Sequence, residues 1–186
     1  MKLSGMICEG DIVLDFRAKT KDEALAVLAQ VAAGVLGYDR ALSALREREE
    51  VVSTGIGNGV ALPHIRLDFV DTPVVVFARA QKPVEFGAMD DGPCRLFFLV
   101  IGPTGQGVQQ KYLQAMGEIL QMVRSSLIRE GLLAVETAGE AIEMIRGYED
   151  GRSSSPFNRP FSTQVKVFGR EIEGHVRGKI SSPLAH

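Results

Sequence analysis

The segment Cys94 to Gly102, CRLFFLVIG, sets almost nothing but apolar side chains on consecutive positions. Successive residues of an extended strand point to opposite faces of a sheet, so such a run must be covered on both sides. A second apolar stretch, Pro73 to Ala80, predicts another strand of the same sheet. Helices able to cover that sheet are readable on either side of these runs. From Lys21 or Asp22 to Leu36, Ala24, Leu25, Leu28, Val31, Ala32 and Val35 recur at helical period. Thr20 and Glu23 have the spacing of a capping box at its start, and Gly37 suits a left-handed stop at its end. A second helix is expected from Asp39, as N-cap, through ALSALREREE.

A third helix is predicted from about Val108 to Ser125, with Tyr112, Ala115, Met116, Ile119, Leu120 and Val123 as its apolar stripe. Short helices over Ser126 to Glu130 and Ala138 to Tyr148 follow, the latter opened by Thr137 and Glu140 at capping-box spacing. KPVEFGAMDDGP, between the two apolar runs, reads as a loop with room for a short edge strand. The fold class is therefore α/β: a mixed β-sheet sandwiched by α-helices. Residues 1–149 form the expected domain. After it, EDGRSSSPFNRPFS is linker-like, and QVKVFGREIEGHVRGKI alternates apolar and polar residues as an extended segment or β-hairpin would. That C-terminal extension, residues 150–186, offers a route to a homo-oligomer by adding a strand to a neighbouring sheet.

Composition restricts function. The chain has 186 residues, 45% hydrophobic and 24% charged, with a net charge of −2. Its charges are interleaved, with no basic block for nucleic acid or a membrane surface. No run is long and apolar enough to span a bilayer, and the N-terminus is unlike a secretory signal, so a cytoplasmic location is expected. Cys8 and Cys94 lie too far apart for a metal or redox motif and are expected as buried or partly buried thiols. No metal or organic cofactor is expected; His175 and His186 fall in the tail, far from any cluster.

The chemistry concentrates in Ser53-Thr54-Gly55-Ile56-Gly57-Asn58-Gly59-Val60-Ala61-Leu62-Pro63-His64. Gly55, Gly57 and Gly59 predict a tight loop whose backbone N–H groups can approach an anion. A short strand is expected to end near His64. Ser53, Thr54 and Asn58 add short donors, and Arg48 can make a charge-assisted contact to phosphate. Pro63 stiffens the chain before His64. A neutral imidazole is a nucleophile near neutral pH and suits carrying a phosphoryl group. On spacing alone, the same residues also suit an ordinary turn followed by a structural histidine. The loop lacks the Gly-Lys-Ser/Thr ending of a nucleotide P-loop, and its even glycine spacing is not a dinucleotide fingerprint.

Arg48-Glu49-Glu50 followed by Ser53 to His64 closely resembles the signature of the fructose/mannitol class of phosphotransferase-system IIA domains, which includes the nitrogen-regulatory IIA proteins. Lys82 to Phe86, Asp90-Asp91-Gly92-Pro93 and Leu96 to Ile101 extend the resemblance, which covers about residues 5 to 148. It implies that His64 accepts a phosphoryl group from a histidine-containing phosphocarrier protein. His64 would then pass it to a IIB component or signal with it to a regulatory protein. Arg48, Ser53, Thr54, Gly55, Asn58 and Gly59 would bind the phosphate. Two positions depart from the family. Tyr112 stands where many members have a second histidine; on its apolar stripe it suits either core packing or a hydrogen bond to the phosphate or His64, and Arg66 suits either a phosphate or partner contact or a solvated surface charge. Ile65 follows His64 where the family has glycine, and is expected to add bulk near the site. The alternative is a docking module that keeps the fold but does not transfer. The absence of a fused transporter region and the changes at Tyr112 and Ile65 lean towards regulation.

Overall fold

A computed structural model describes residues 2–105 and 109–153. The expected tail, with His175 and His186, and the expected helix start at Val108 lie outside the described residues. By its contacts the chain divides into Met1–Ser155 and Pro156–His186. Within the first unit, two short 3-10 turns (Leu3–Gly5 and Glu9–Asp11) precede strand β1, Ile12–Phe16. Helices α1, Lys21–Leu36, and α2, Tyr38–Val51, follow. The short strands β2, Gly55–Gly57, β3, Val60–Ala61, and β4, His64–Leu67, come next. The long strands are β5, Val74–Val84, and β6, Cys94–Pro103. Helices α3, Gln109–Met122, α4, Ser126–Ala134, and α5, Ala138–Ser153, complete the unit.

The sheet order is β1-β5-β6-β3-β2, with β4 also on β6. Parallel (β1–β5, β6–β3, β6–β4) and antiparallel (β5–β6, β3–β2) pairs make it mixed, as expected. Alternation along β6 divides the core. Phe97, Leu99 and Ile101 join Leu25, Leu28 and Leu45 of α1 and α2. Leu96, Phe98 and Val100 join Tyr112, Ile119 and Ile145 of α3 and α5. A fully covered strand must fill both faces with apolar side chains, and this is the source of the CRLFFLVIG pattern.

Several boundaries differ from expectation. β1 was too short to stand out, having five residues. Asp39 is not the N-cap of α2; Gly37 is, at φ 75°, and it also ends α1 by donating its N–H to Ala33 O. A positive φ costs glycine little, so one residue can reverse the chain between two helices. β5 runs through Lys82-Pro83-Val84 into the segment expected as a loop. α4 continues beyond Glu130, and α5 beyond Tyr148. Cys94 is buried, and burial pushes its thiol up to about 12, but Cys8 is exposed.

Candidate functional site

The strand expected to end near His64 begins there instead. β3 lies along β6 with Val60 opposite Leu96 and Ala61 opposite Phe97. The chain leaves that edge at Leu62-Pro63 and resumes it with His64 opposite Val100. Pro63 has no N–H to offer a ladder, but its carbonyl accepts from Val100 N at 3.0 Å. The imidazole thus sits, half-buried, on a strand rather than on a free loop.

Its two nitrogens have complementary partners. Nδ1 is 2.9 Å from the Leu62 carbonyl oxygen. A carbonyl can only accept, so Nδ1 carries the proton. Nε2 is 3.2 Å from Arg48 Nε and 3.0 Å from Arg48 Nη2. A guanidinium can only donate, so Nε2 presents its lone pair. Both partners assign the same neutral tautomer. Burial pushes the His64 pKa below the ordinary histidine value; the Leu62 carbonyl raises it, Arg48 lowers it, and Glu49 raises it. Arg48 comes from the last turn of α2 and is steadied by a bond from Nη1 to Val52 O at 3.1 Å.

The other expected phosphate contacts separate into two groups. Thr54 is buried, and its hydroxyl donates to Glu49 Oε2 at 2.6 Å. Ser53 Oγ donates to Phe86 O at 2.9 Å and accepts from Lys21 Nζ at 3.2 Å. At Gly55, a Cβ would fall 2.6 Å from Ala88 Cα, so the glycine there allows close packing. Asn58 and Gly59, at positive φ of 55° and 75°, form the tip of the β2–β3 hairpin. Gly59 O accepts from Arg95 and Leu96 N–H, so the tip lies about four residues back along β6, roughly 13 Å from His64. Asn58 N donates to Asp90 Oδ2 at 2.7 Å. The glycine-rich segment is a hairpin, and among the expected phosphate contacts the Arg48 side chain reaches His64.

Ile65 points to the opposite face of β4 and is buried in the core with Ala61, Leu99 and Ile101. It adds no bulk at the imidazole, because alternate residues of a strand face opposite ways. Arg66 shares the His64 face, but its Nε and Nη2 donate to Pro103 and Thr104 carbonyls at 3.2 and 3.3 Å. Its guanidinium lies 5.9 Å from the centre of the Tyr112 ring. Tyr112 is buried on α3 against Gly102, where a Cβ would meet the ring at 2.2 Å. Burial raises the Tyr112 pKa, while Arg66 and Arg48 lower it, so the phenol stays neutral. Among the described residues no cluster of His, Cys, Asp and Glu could hold a metal ion.

Glu49 is a site residue that the sequence does not single out. It is buried, accepting from Thr54 N at 3.0 Å and from Lys21 Nζ at 2.9 Å. The signal lay in its phase: Leu42, Leu45 and Glu49 share the buried stripe of α2.

The family model for the phosphoenolpyruvate-dependent sugar phosphotransferase system, EIIA 2, matches residues 6–148, and the chain belongs to that family. The fructose-specific EIIA component of Haloferax volcanii is 37% identical over 129 residues, 68% of this chain and 82% of that one. A nitrogen regulatory protein of Bradyrhizobium diazoefficiens is 32% identical over 140 residues, 74% of this chain and 90% of that one. Among solved structures, the nitrogen regulatory protein IIA-Ntr of Neisseria meningitidis superposes with TM-score 0.71 at 27% identity, covering 77% of this chain and 98% of that one. Escherichia coli IIA mannitol shares the fold at TM-score 0.63 and 22% identity, over 75% of this chain and 98% of that one. No helix among the described residues is long and apolar enough to cross a membrane.

Proposed function

We propose that the protein is a phosphoryl carrier whose acceptor is Nε2 of His64. The observation that carries this reading is the lone pair of Nε2 facing the Arg48 guanidinium while Nδ1–H is fixed on Leu62 O. The donor is a phosphohistidine of a histidine-containing phosphocarrier protein. Nε2 attacks its phosphorus, the donor N–P bond breaks, and that electron pair returns to the donor ring. No proton needs to leave His64, because its proton sits on the other nitrogen. Nδ1 keeps that proton, hydrogen-bonded to the Leu62 carbonyl, after transfer, so the ring bears positive charge while phosphorylated. That charge keeps the new N–P bond labile and ready for the next acceptor. Arg48 moves from the lone pair to the phosphoryl oxygens, where charge-assisted bonds stabilise the transferring group.

The onward acceptor is a IIB component or a regulatory protein that reads the phosphorylation state. Relatives named for fructose-specific transport and for nitrogen regulation support both destinations. Val51 and Val52, 79% and 60% exposed at the end of α2 beside Arg48, give a partner apolar area to dock on. No organic cofactor or metal takes part. The test is transfer from labelled phosphoenolpyruvate through the system's first enzyme and phosphocarrier, with His64→Ala alongside. Acid-labile label on the wild type alone supports the reading. A folded wild type that takes no label from cognate donors sinks it and leaves a non-transferring docking module, with Tyr112 in place of a second imidazole as the physical reason.

A further inference from the structure

A buried carboxylate beneath a phosphoryl acceptor is an unexpected expense, since it repels the incoming anion and costs several kcal/mol to desolvate unless fully bonded. Glu49 is such a group; its side chain is 5% exposed. It is also fully engaged. Oε1 accepts from Lys21 Nζ at 2.9 Å and Thr54 N at 3.0 Å, and Oε2 accepts from Thr54 Oγ1 at 2.6 Å. Lys21, from the first turn of α1, is further held by Ser53 Oγ and by the face of the Phe86 ring, 4.9 Å from its centroid.

From this cluster a line of hydrogen bonds, joined through the backbones of Thr54 and Leu62, reaches the imidazole. Glu49 fixes the amide and hydroxyl of Thr54. The Thr54 carbonyl accepts from Leu62 N at 2.9 Å. The Leu62 carbonyl accepts from His64 Nδ1–H at 2.9 Å. The carbonyl that sets the His64 tautomer is therefore positioned by a residue that never touches the ring. We propose that Glu49 is a positioning residue for His64: with Lys21 as its counter-ion, it fixes Thr54 and hence the Leu62 carbonyl that orients the imidazole and holds its proton on Nδ1. This rests on the carrier reading above for its purpose, though not for its geometry.

The charged and titratable groups around His64 are Arg48 and Glu49 from α2, Lys21 from α1, Arg66 from its own strand and Tyr112 from α3. Glu49 is the anion among them, and its charge favours the protonated ring. Replacing it by glutamine keeps the shape, removes the charge and leaves Lys21 without its counter-ion. Three results are expected of Glu49→Gln. His64 titrates at lower pH by NMR of its ring nitrogens, the Nδ1–H fraction of the neutral ring falls, and phosphoryl acceptance drops about tenfold to a hundredfold. Glu49→Asp, which keeps the charge but shortens the reach, should leave the titration nearer the wild type and still lose transfer.

If Glu49→Gln does not fold, Thr54 decides the matter. Thr54→Val removes only the hydroxyl bond to Glu49 and is expected to lower the Nδ1–H fraction, while Thr54→Ser restores it. A folded Glu49→Gln with wild-type titration, tautomer and transfer overturns the proposal, as does a Thr54→Val protein indistinguishable from Thr54→Ser. The titration needs no phosphoryl donor. A ring that responds to Glu49 in a protein that takes no label would therefore refute the carrier reading and leave the positioning role standing.

Discussion

Arg48 meets His64 with two nitrogens of one rigid plane while its third holds Val52 O. A lysine offers the same charge but not that fork, and its flexible stem cannot hold both partners at once. Arg48→Lys is expected to fold normally and to slow phosphoryl acceptance by about tenfold to a hundredfold, measured as the rate of label uptake. The protonation state of His64 gives a second prediction at this scale. Burial depresses its folded pKa below that of an exposed histidine. As pH falls, the unfolded chain therefore binds the proton first. The associated stability is complete above the ordinary histidine value and is lost as pH falls through the depressed one. Urea midpoints should fall more steeply with acid in the wild type than in His64→Ala across that window. A parallel loss in both would show that the ring is not held neutral. Label uptake should persist to a lower pH than a free imidazole allows, because the lone pair on Nε2 survives there.

At the scale of elements, periodicity announced the helices and the two long strands, because each repeats its pattern over two or more turns or across a whole covered run. The short strands carried no such signal. β2 and β3 span three and two residues and are fixed by the positive φ at Gly57, Asn58 and Gly59, which also suits an open loop. The same residue types suit an anion-binding loop, and the sequence does not show that Asn58 and Gly59 form a hairpin tip. The side of the sheet taken by Ile65 was equally hidden, since it depends on His64 entering β4 at its first residue. Tertiary pairing of this kind cannot be read from neighbours in the chain. Arg79 is another example, a cation inside an apolar strand. It is 5% exposed, donates to both carboxylate oxygens of Asp15, and reaches the carbonyls of Leu132, Leu133 and Val135. One guanidinium thus caps the C-terminal end of α4 and ties it to β1 and β5. Arg79→Met preserves the volume but leaves those carbonyls unsatisfied, at a cost of about 2–4 kcal/mol. The expected signature is a lower urea midpoint together with faster amide exchange in α4. Unchanged exchange there would mean that the cap is replaced by water without consequence.

At the scale of the whole molecule, every residue named in the proposed chemistry lies inside the first compact unit, Met1–Ser155. The family match ends at residue 148, within α5. That helix is integral to the fold: Ala141 and Ile145 are fully buried in the core shared with α3 and β6. Glu149, beyond the family match, still accepts from the backbone N–H of Ser4 at 3.2 Å, so a cut at residue 148 would remove a contact that fastens the N-terminal turn. Among the described residues, the bonds that place Arg48, Glu49, Leu62 and His64 all lie before Ser155. A chain ending at Ser155 is therefore expected to melt within about 2 °C of the full-length protein, since a change of 1 kcal/mol would move the midpoint by about 2–8 °C. It should also accept label at the full-length rate. A chain ending at Tyr148 should be measurably less stable, through the lost Glu149 contact and a shortened α5. If the chain ending at Ser155 were to lose its fold or its label, the second unit would be part of the working carrier.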